Sequence, residues 1–84
     1  MLQMLYFAWV RERIGIDGET IAIPPGVDDV AGLLDALEAR GSGYADALFE
    51  RDRIRVAVDQ AFVGPDAPVR DGAEVAIFPP VTGG

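Results

Sequence analysis

The 84-residue chain contains no cysteine, no histidine and no lysine. Without cysteine there are no disulfides, no thiolate metal sites and no thiol nucleophile. Without histidine, the usual general base and the commonest metal ligand are both missing. Serine occurs once, as Ser42 between two glycines, which reads as a loop and not as a nucleophile. A self-contained hydrolase triad cannot be assembled from this set. The seven cationic residues are all arginine, so no side chain can accept an isopeptide bond, and as a modifier the domain would not build lysine-linked chains of itself. Long hydrophobic runs are missing too: nothing reaches the length needed to cross a bilayer. The apolar run at 2–10 lacks a basic leader and a small-residue cleavage site, so the expectation is a cytoplasmic domain with no membrane partner.

Positive charge is outweighed. A net charge of −7 opposes nucleic-acid binding, which depends on phosphate neutralisation, and suits docking to a basic partner. Arg11, Arg13, Arg51, Arg53 and Arg55 form a candidate positive patch, but all except Arg11 read as scattered surface charge. The carboxylates, such as Asp28-Asp29, lack a partner motif and read as solvated surface, so no metal site is expected.

What the chain does have is concentrated at its end, Phe78-Pro79-Pro80-Val81-Thr82-Gly83-Gly84. Two glycines make a ribbon without Cβ atoms that a narrow channel can admit. The prolines fix φ, lack an N–H and cannot prolong a strand. Extended, residues 81–84 reach about 13 Å past the prolines, far enough to put the Gly84 carboxylate deep in a partner's active site. The plainer alternative is an ordinary flexible terminus.

A chain of this length makes one domain, which buries only about 60–65% of its unfolded surface. Half of the residues are apolar, which leaves apolar surface for an interface. Residues 2–9 read as a strand, with Leu2, Met4, Tyr6 and Ala8 on one face and Gln3, Leu5, Phe7 and Trp9 on the other. Gln3 marks the second face as the less buried one, leaving Leu5 and Phe7 as candidate exposed hydrophobes. A short helical turn at 10–14 is closed by Gly15. Asp17-Gly18 then turns the chain into a second strand at 19–23.

Val30, Leu33, Leu34 and Leu37 recur at i, i+3, i+4 and i+7 behind an Asp29 N-cap. This spacing predicts an amphipathic helix over 30–39, stopped by Gly41. A helical turn at 44–49 and strands at 54–58, 61–63 and 74–78 follow, with Ile54, Val56 and Val58 inward and Arg55 and Ala57 outward. In the last strand Val75 and Ile77 point one way and Glu74, Ala76 and Phe78 the other. The order β-β-α-β-β-β predicts an α+β, β-grasp (ubiquitin-like) domain over 1–84, with a mixed sheet and residues 79–84 protruding as a tail.

The chain resembles the MoaD/ThiS family of sulfur carriers, and within it the MoaD branch, along almost its whole length. The resemblance rests on Leu5-Tyr6-Phe7-Ala8 with Arg11-Glu12, on Asp29-Val30 and Leu33-Leu34, on Val58-Asp59-Gln60, and above all on residues 71–84. Asp59 and Ala73 stand where Asn and Asp are more usual, both in turns. It implies that a ubiquitin-activating-like enzyme uses ATP to adenylate Gly84 and that a protein persulfide supplies the sulfur. The resulting thiocarboxylate donates sulfur to a pyranopterin held by the large subunit of molybdopterin synthase, in a heterotetramer of two small and two large subunits. The chain itself would bind no cofactor and be no enzyme on its own. It further implies a docking face of Phe7, Phe62 and Phe78 with Arg11 as polar anchor, and contacts from Pro79, Pro80, Val81, Thr82 and Gly83; the alternative is that some aromatics fill the core. Carriers for thiamine or cysteine synthesis and a ubiquitin-like modifier share the Gly-Gly chemistry. Phe-Pro-Pro before the tail favours the molybdopterin branch.

Overall fold

A computed structural model describes residues 1–80. Five strands, β1 (Leu2–Tyr6), β2 (Gly18–Ile21), β3 (Arg55–Val58), β4 (Ala61–Val63) and β5 (Glu74–Phe78), form one sheet in the order β2-β1-β5-β3-β4. The first and last strands lie side by side and parallel, and every other pairing is antiparallel. Helix α2 (Val30–Glu38) buries Val30, Leu33, Leu34 and Leu37, so the stripe seen in the sequence is the face laid on the sheet. Asp29 caps it, accepting a hydrogen bond from the Gly32 N–H at 2.8 Å. Beneath it, Leu2, Met4, Val75 and Ile77 are fully buried, each worth roughly 1.5–3 kcal/mol by burial. A hairpin, a crossing helix and returning strands make a β-grasp.

The expected strand at 2–9 is too long. Pairing stops at Tyr6, and residues from Ala8 onward form helix α1 (Ala8–Ile14). The Phe7 N–H still donates to Ile77 O at 3.1 Å, after which Ala8 takes φ 53° and turns the chain off the sheet. Alternation therefore fails for Ala8, which is exposed, while Val10 turns in to the core. Two other elements move. Ser42 opens a full helix, α3 (Ser42–Leu48), which packs on α1, where a loop and then a turn at 44–49 are expected. The second strand ends at Ile21 rather than at Ile23, just before Pro24-Pro25. Ala57 does lie on the outer face, yet it is buried, because its cross-strand neighbours there are Phe62 and Ala76.

A polar cluster ties β1, β2, α3 and the end of α2 together. Tyr6 and Tyr44 both donate to Glu19 Oε2, at 2.7 and 2.6 Å, and Arg40 donates to Glu19 Oε1 at 3.3 Å. Burial alone would push the Glu19 carboxyl up. The hydrogen bonds from Tyr44 and Tyr6, with the Arg40 charge, outweigh it and hold the group below its ordinary value. Burial and the Glu19 carboxylate both push the Tyr6 hydroxyl up, so it stays a donor. A depressed carboxyl stabilises the fold above its unfolded value, near 4.3 for Glu, and that contribution is lost as pH falls through the folded value. Glu19→Gln should therefore cost about 1–3 kcal/mol at pH 7 and flatten the fall of the thermal midpoint between neutral and acid pH. Parallel acid melts of the two proteins would refute this assignment.

Candidate functional site

Among the described residues, the sheet face opposite α2 carries no helix. Register places Gly18, Leu5, Ala76, Ala57 and Phe62 in one row across all five strands. Small side chains in the middle of that row make it shallow, and aromatics stand at its edge. Phe62 is 79% exposed on the edge strand β4 and Phe7 is 46% exposed at the end of β1. Phe78 is half-buried, and its ring lies against that of Phe62 with centroids 5.5 Å apart. None of the three belongs to the core cluster. An apolar face of this kind, uncovered in so small a chain, marks an interaction surface.

Arg11 is exposed on α1 and shares a surface depression with Leu5, Phe7, Asp17 and Glu19. The other arginines do not gather into one positive patch. Arg51 pairs with Asp35 and Glu38 at 2.9 and 2.6 Å, and Arg55 donates to the Asp52 and Ile54 carbonyls. Arg13 and Arg53 instead approach Trp9, with guanidinium carbons 4.5 and 5.8 Å from the ring centroid. That cluster was not legible in the sequence. Its one local signal is the i, i+4 spacing of Trp9 and Arg13, meaningful only once 8–14 is a helix.

Pro79 and Pro80 follow β5 directly and are half-buried beside Trp9 and Arg53. Val81, Thr82, Gly83 and Gly84 lie outside the described residues. Among the described residues no group of three or more carboxylates, histidines or cysteines is placed to hold a metal ion, and no helix is long and apolar enough to cross a membrane. A groove of about 260 Å³ between α2 and β3 is lined mainly by Val30, Leu34, Ile54, Val56 and Val63. It falls below the usual size of a small-molecule site, about 300 Å³ and upward, and its lining supplies no convergent acid and base. What this arrangement can do chemically is present a stiff stem beside an apolar docking face.

Comparison with known proteins agrees with that geometry. The model of the ThiS family matches residues 4–84. The molybdopterin synthase sulfur carrier subunit of Escherichia coli (strain K12) is 42% identical over 84 residues, covering 100% of both chains. Its namesake in Haemophilus influenzae is 37% identical, again over 100% of both. Among solved structures, SAMP1 from Haloferax volcanii superposes with a TM-score of 0.73 at 28% identity, covering 99% of this chain and 98% of that one.

Proposed function

We propose that this chain, which belongs to the ThiS family, is the sulfur carrier subunit of a molybdopterin synthase. The observation that carries this reading is the end-to-end match, at 42% identity, with a protein of that name. The geometry supports it. The stem Pro79-Pro80 directly follows Phe78 of the open apolar face and lines one depression with Trp9, so one partner surface can hold the face while its active site receives residues 81–84.

A carboxylate is a poor acyl donor until an oxygen becomes a good leaving group. The Gly84 carboxylate attacks the α-phosphate of ATP on a separate adenylating enzyme and releases pyrophosphate. A persulfide sulfur then displaces AMP, and a second thiol frees the acyl sulfur as a thiocarboxylate. The large synthase subunit takes up that tail and moves the sulfur onto its pterin substrate; two carriers discharge in turn per dithiolene, within an assembly of two small and two large subunits. With no histidine and no cysteine in the chain, we assign the acid and base groups of the transfer to the large subunit. The chain is a non-catalytic donor that works in the cytoplasm and binds no cofactor of its own; ATP belongs to the activating enzyme.

The test is intact mass after incubation with ATP, the adenylating enzyme and a sulfur source. The expected product gains the mass difference between sulfur and oxygen, and is consumed stoichiometrically when the large subunit and pterin precursor are added. Unchanged mass with an enzyme active on another carrier would defeat the reading. The likeness to SAMP1, a modifier protein by name, favours one second reading, transfer of Gly84 to a lysine amine of another protein; covalent adducts in cells would reveal it.

The docking face carries a prediction of its own. Phe62→Ala should weaken assembly with the large subunit by about 1–3 kcal/mol, the range for a buried aromatic anchor. The free domain should hardly change, since the ring is 79% exposed. Calorimetric titration alongside thermal melts separates the two effects, and unchanged affinity would remove Phe62 from the interface.

A further inference from the structure

Beyond Phe78 the ladder stops holding the chain. Proline has no N–H to donate, and among the described residues no backbone hydrogen bond outside the strands involves Pro79 or Pro80. Both prolines are nonetheless half-buried, so side-chain packing must set their direction. The large rigid side chain at that point is Trp9, the chain's sole tryptophan, and Trp9, Asp52, Arg53, Pro79 and Pro80 line one depression.

The indole is itself restrained from two elements. Arg13, one turn along α1, sits over the ring at 4.5 Å and is anchored by donating to Asp46 O at 3.2 Å. Arg53, from the short turn Arg51–Arg53, approaches it at 5.8 Å and pairs with Glu50 at 3.6 Å. Two cations near the ring hold its orientation more firmly than van der Waals contact alone. Ala8 adds a cost that needs a reason. A non-glycine residue at φ 53° is strained, and the effect of that strain is to start α1 immediately after β1, which puts Trp9 beside the stem.

We propose that Trp9 is a positioning residue for the tail. Its indole, braced by Arg13 and Arg53, is the wall along which Pro79-Pro80 leave the fold, and it sets the heading of the stem that a partner's active site must meet. The second half rests on the carrier reading above; the first does not. Small errors of aim matter in such a step, because a displacement of about 1 Å can cost a hundredfold in rate.

The experiment has two arms. In the free full-length protein, nuclear Overhauser contacts should join the Trp9 indole protons to the ring protons of Pro79 and Pro80; their absence would overturn the proposal whatever the protein's function. In pyrophosphate exchange with the adenylating enzyme, Trp9→Ala should lower kcat by about 10- to 100-fold with KM changed less than about twofold. Trp9→Phe, which keeps a ring for the stem and the cations, should recover most of the rate. A raised KM with unchanged kcat would make Trp9 a docking residue and overturn the proposal. So would a normal kcat per folded molecule alongside a lowered melting temperature. If the wild type itself shows no exchange, the carrier reading fails while the Overhauser arm still decides where Trp9 stands.

Discussion

Removing Gly84, or adding a single residue after it, should reduce thiocarboxylate formation and sulfur transfer to background while leaving the melting temperature unchanged. Both changes alter only which carbonyl is terminal. An added residue moves the carboxylate by about 3.3–3.6 Å, more than a near-attack geometry tolerates. Deletion leaves the chain short by the same distance. Neither should touch stability, because among the described residues the core cluster ends at Ile77. Gly83→Ala is the graded case: a Cβ must enter a channel shaped for a ribbon without one, so transfer should slow while adenylation outside that channel persists. Intact mass and thermal melts on the same samples provide the check. A protein lacking Gly84 that still delivers sulfur would end the carrier reading.

Gly43→Ala should be the most destabilising of the glycine-to-alanine changes among the described residues, by about 3 kcal/mol. Gly43 is in the first turn of α3, where that helix crosses the end of α1. A Cβ there would overlap the Arg13 carbonyl oxygen and stand 2.9 Å from the Arg13 carbonyl carbon and 3.0 Å from Ile14 Cα. These neighbours are backbone, so no rotamer change relieves the clash. The two helices must part, loosening Val10, Ala47 and Leu48, all of which are buried. In a domain of this size each kcal/mol lowers the melting temperature by about 4–8 °C, so the drop should exceed about 12 °C. Gly64→Ala is the control, since a Cβ at Gly64 meets nothing within 4 Å, and a change within about 0.5 kcal/mol is expected. If Gly43→Ala melts like the control, the α1–α3 approach described here is wrong. Because Arg13 also braces Trp9, the variant should weaken the indole contacts of the stem as well.

Some features were decided within a few residues, and those were legible beforehand. The stripe Val30, Leu33, Leu34, Leu37 with Asp29 before it specified α2 to within a residue of its observed end, since a helix face and its cap involve only neighbours three or four positions apart. The tail composition was equally local: two prolines that end a strand and two glycines that leave a ribbon are properties of those residues wherever they stand. Strand alternation set Val75 and Ile77 on one face and Phe78 on the other, because a pleat has period 2 regardless of its partners, and the structure makes the first of these faces the core.

Other features were set by chain segments that meet only after folding. The run Leu5 to Trp9 has strand-forming composition throughout, and it breaks at Phe7 because the last ladder bond is made to Ile77, a residue far along the chain. Ala57 reads as an outward residue and is one, yet it is buried because strand order puts Phe62 and Ala76 beside it. The arginines that looked alike were sorted by tertiary neighbours: Arg51 to Asp35 and Glu38, Arg40 to Glu19, Arg13 and Arg53 to Trp9. The sequence by itself determined the helix, the strand faces and the chemistry of the terminus, since each follows from bonded geometry and near neighbours. Which aromatics stay uncovered, which glycine must be glycine, and which indole stands beside the stem were decided by the tertiary structure alone. Those properties depend on contacts between segments whose separation in sequence carries no periodic signal.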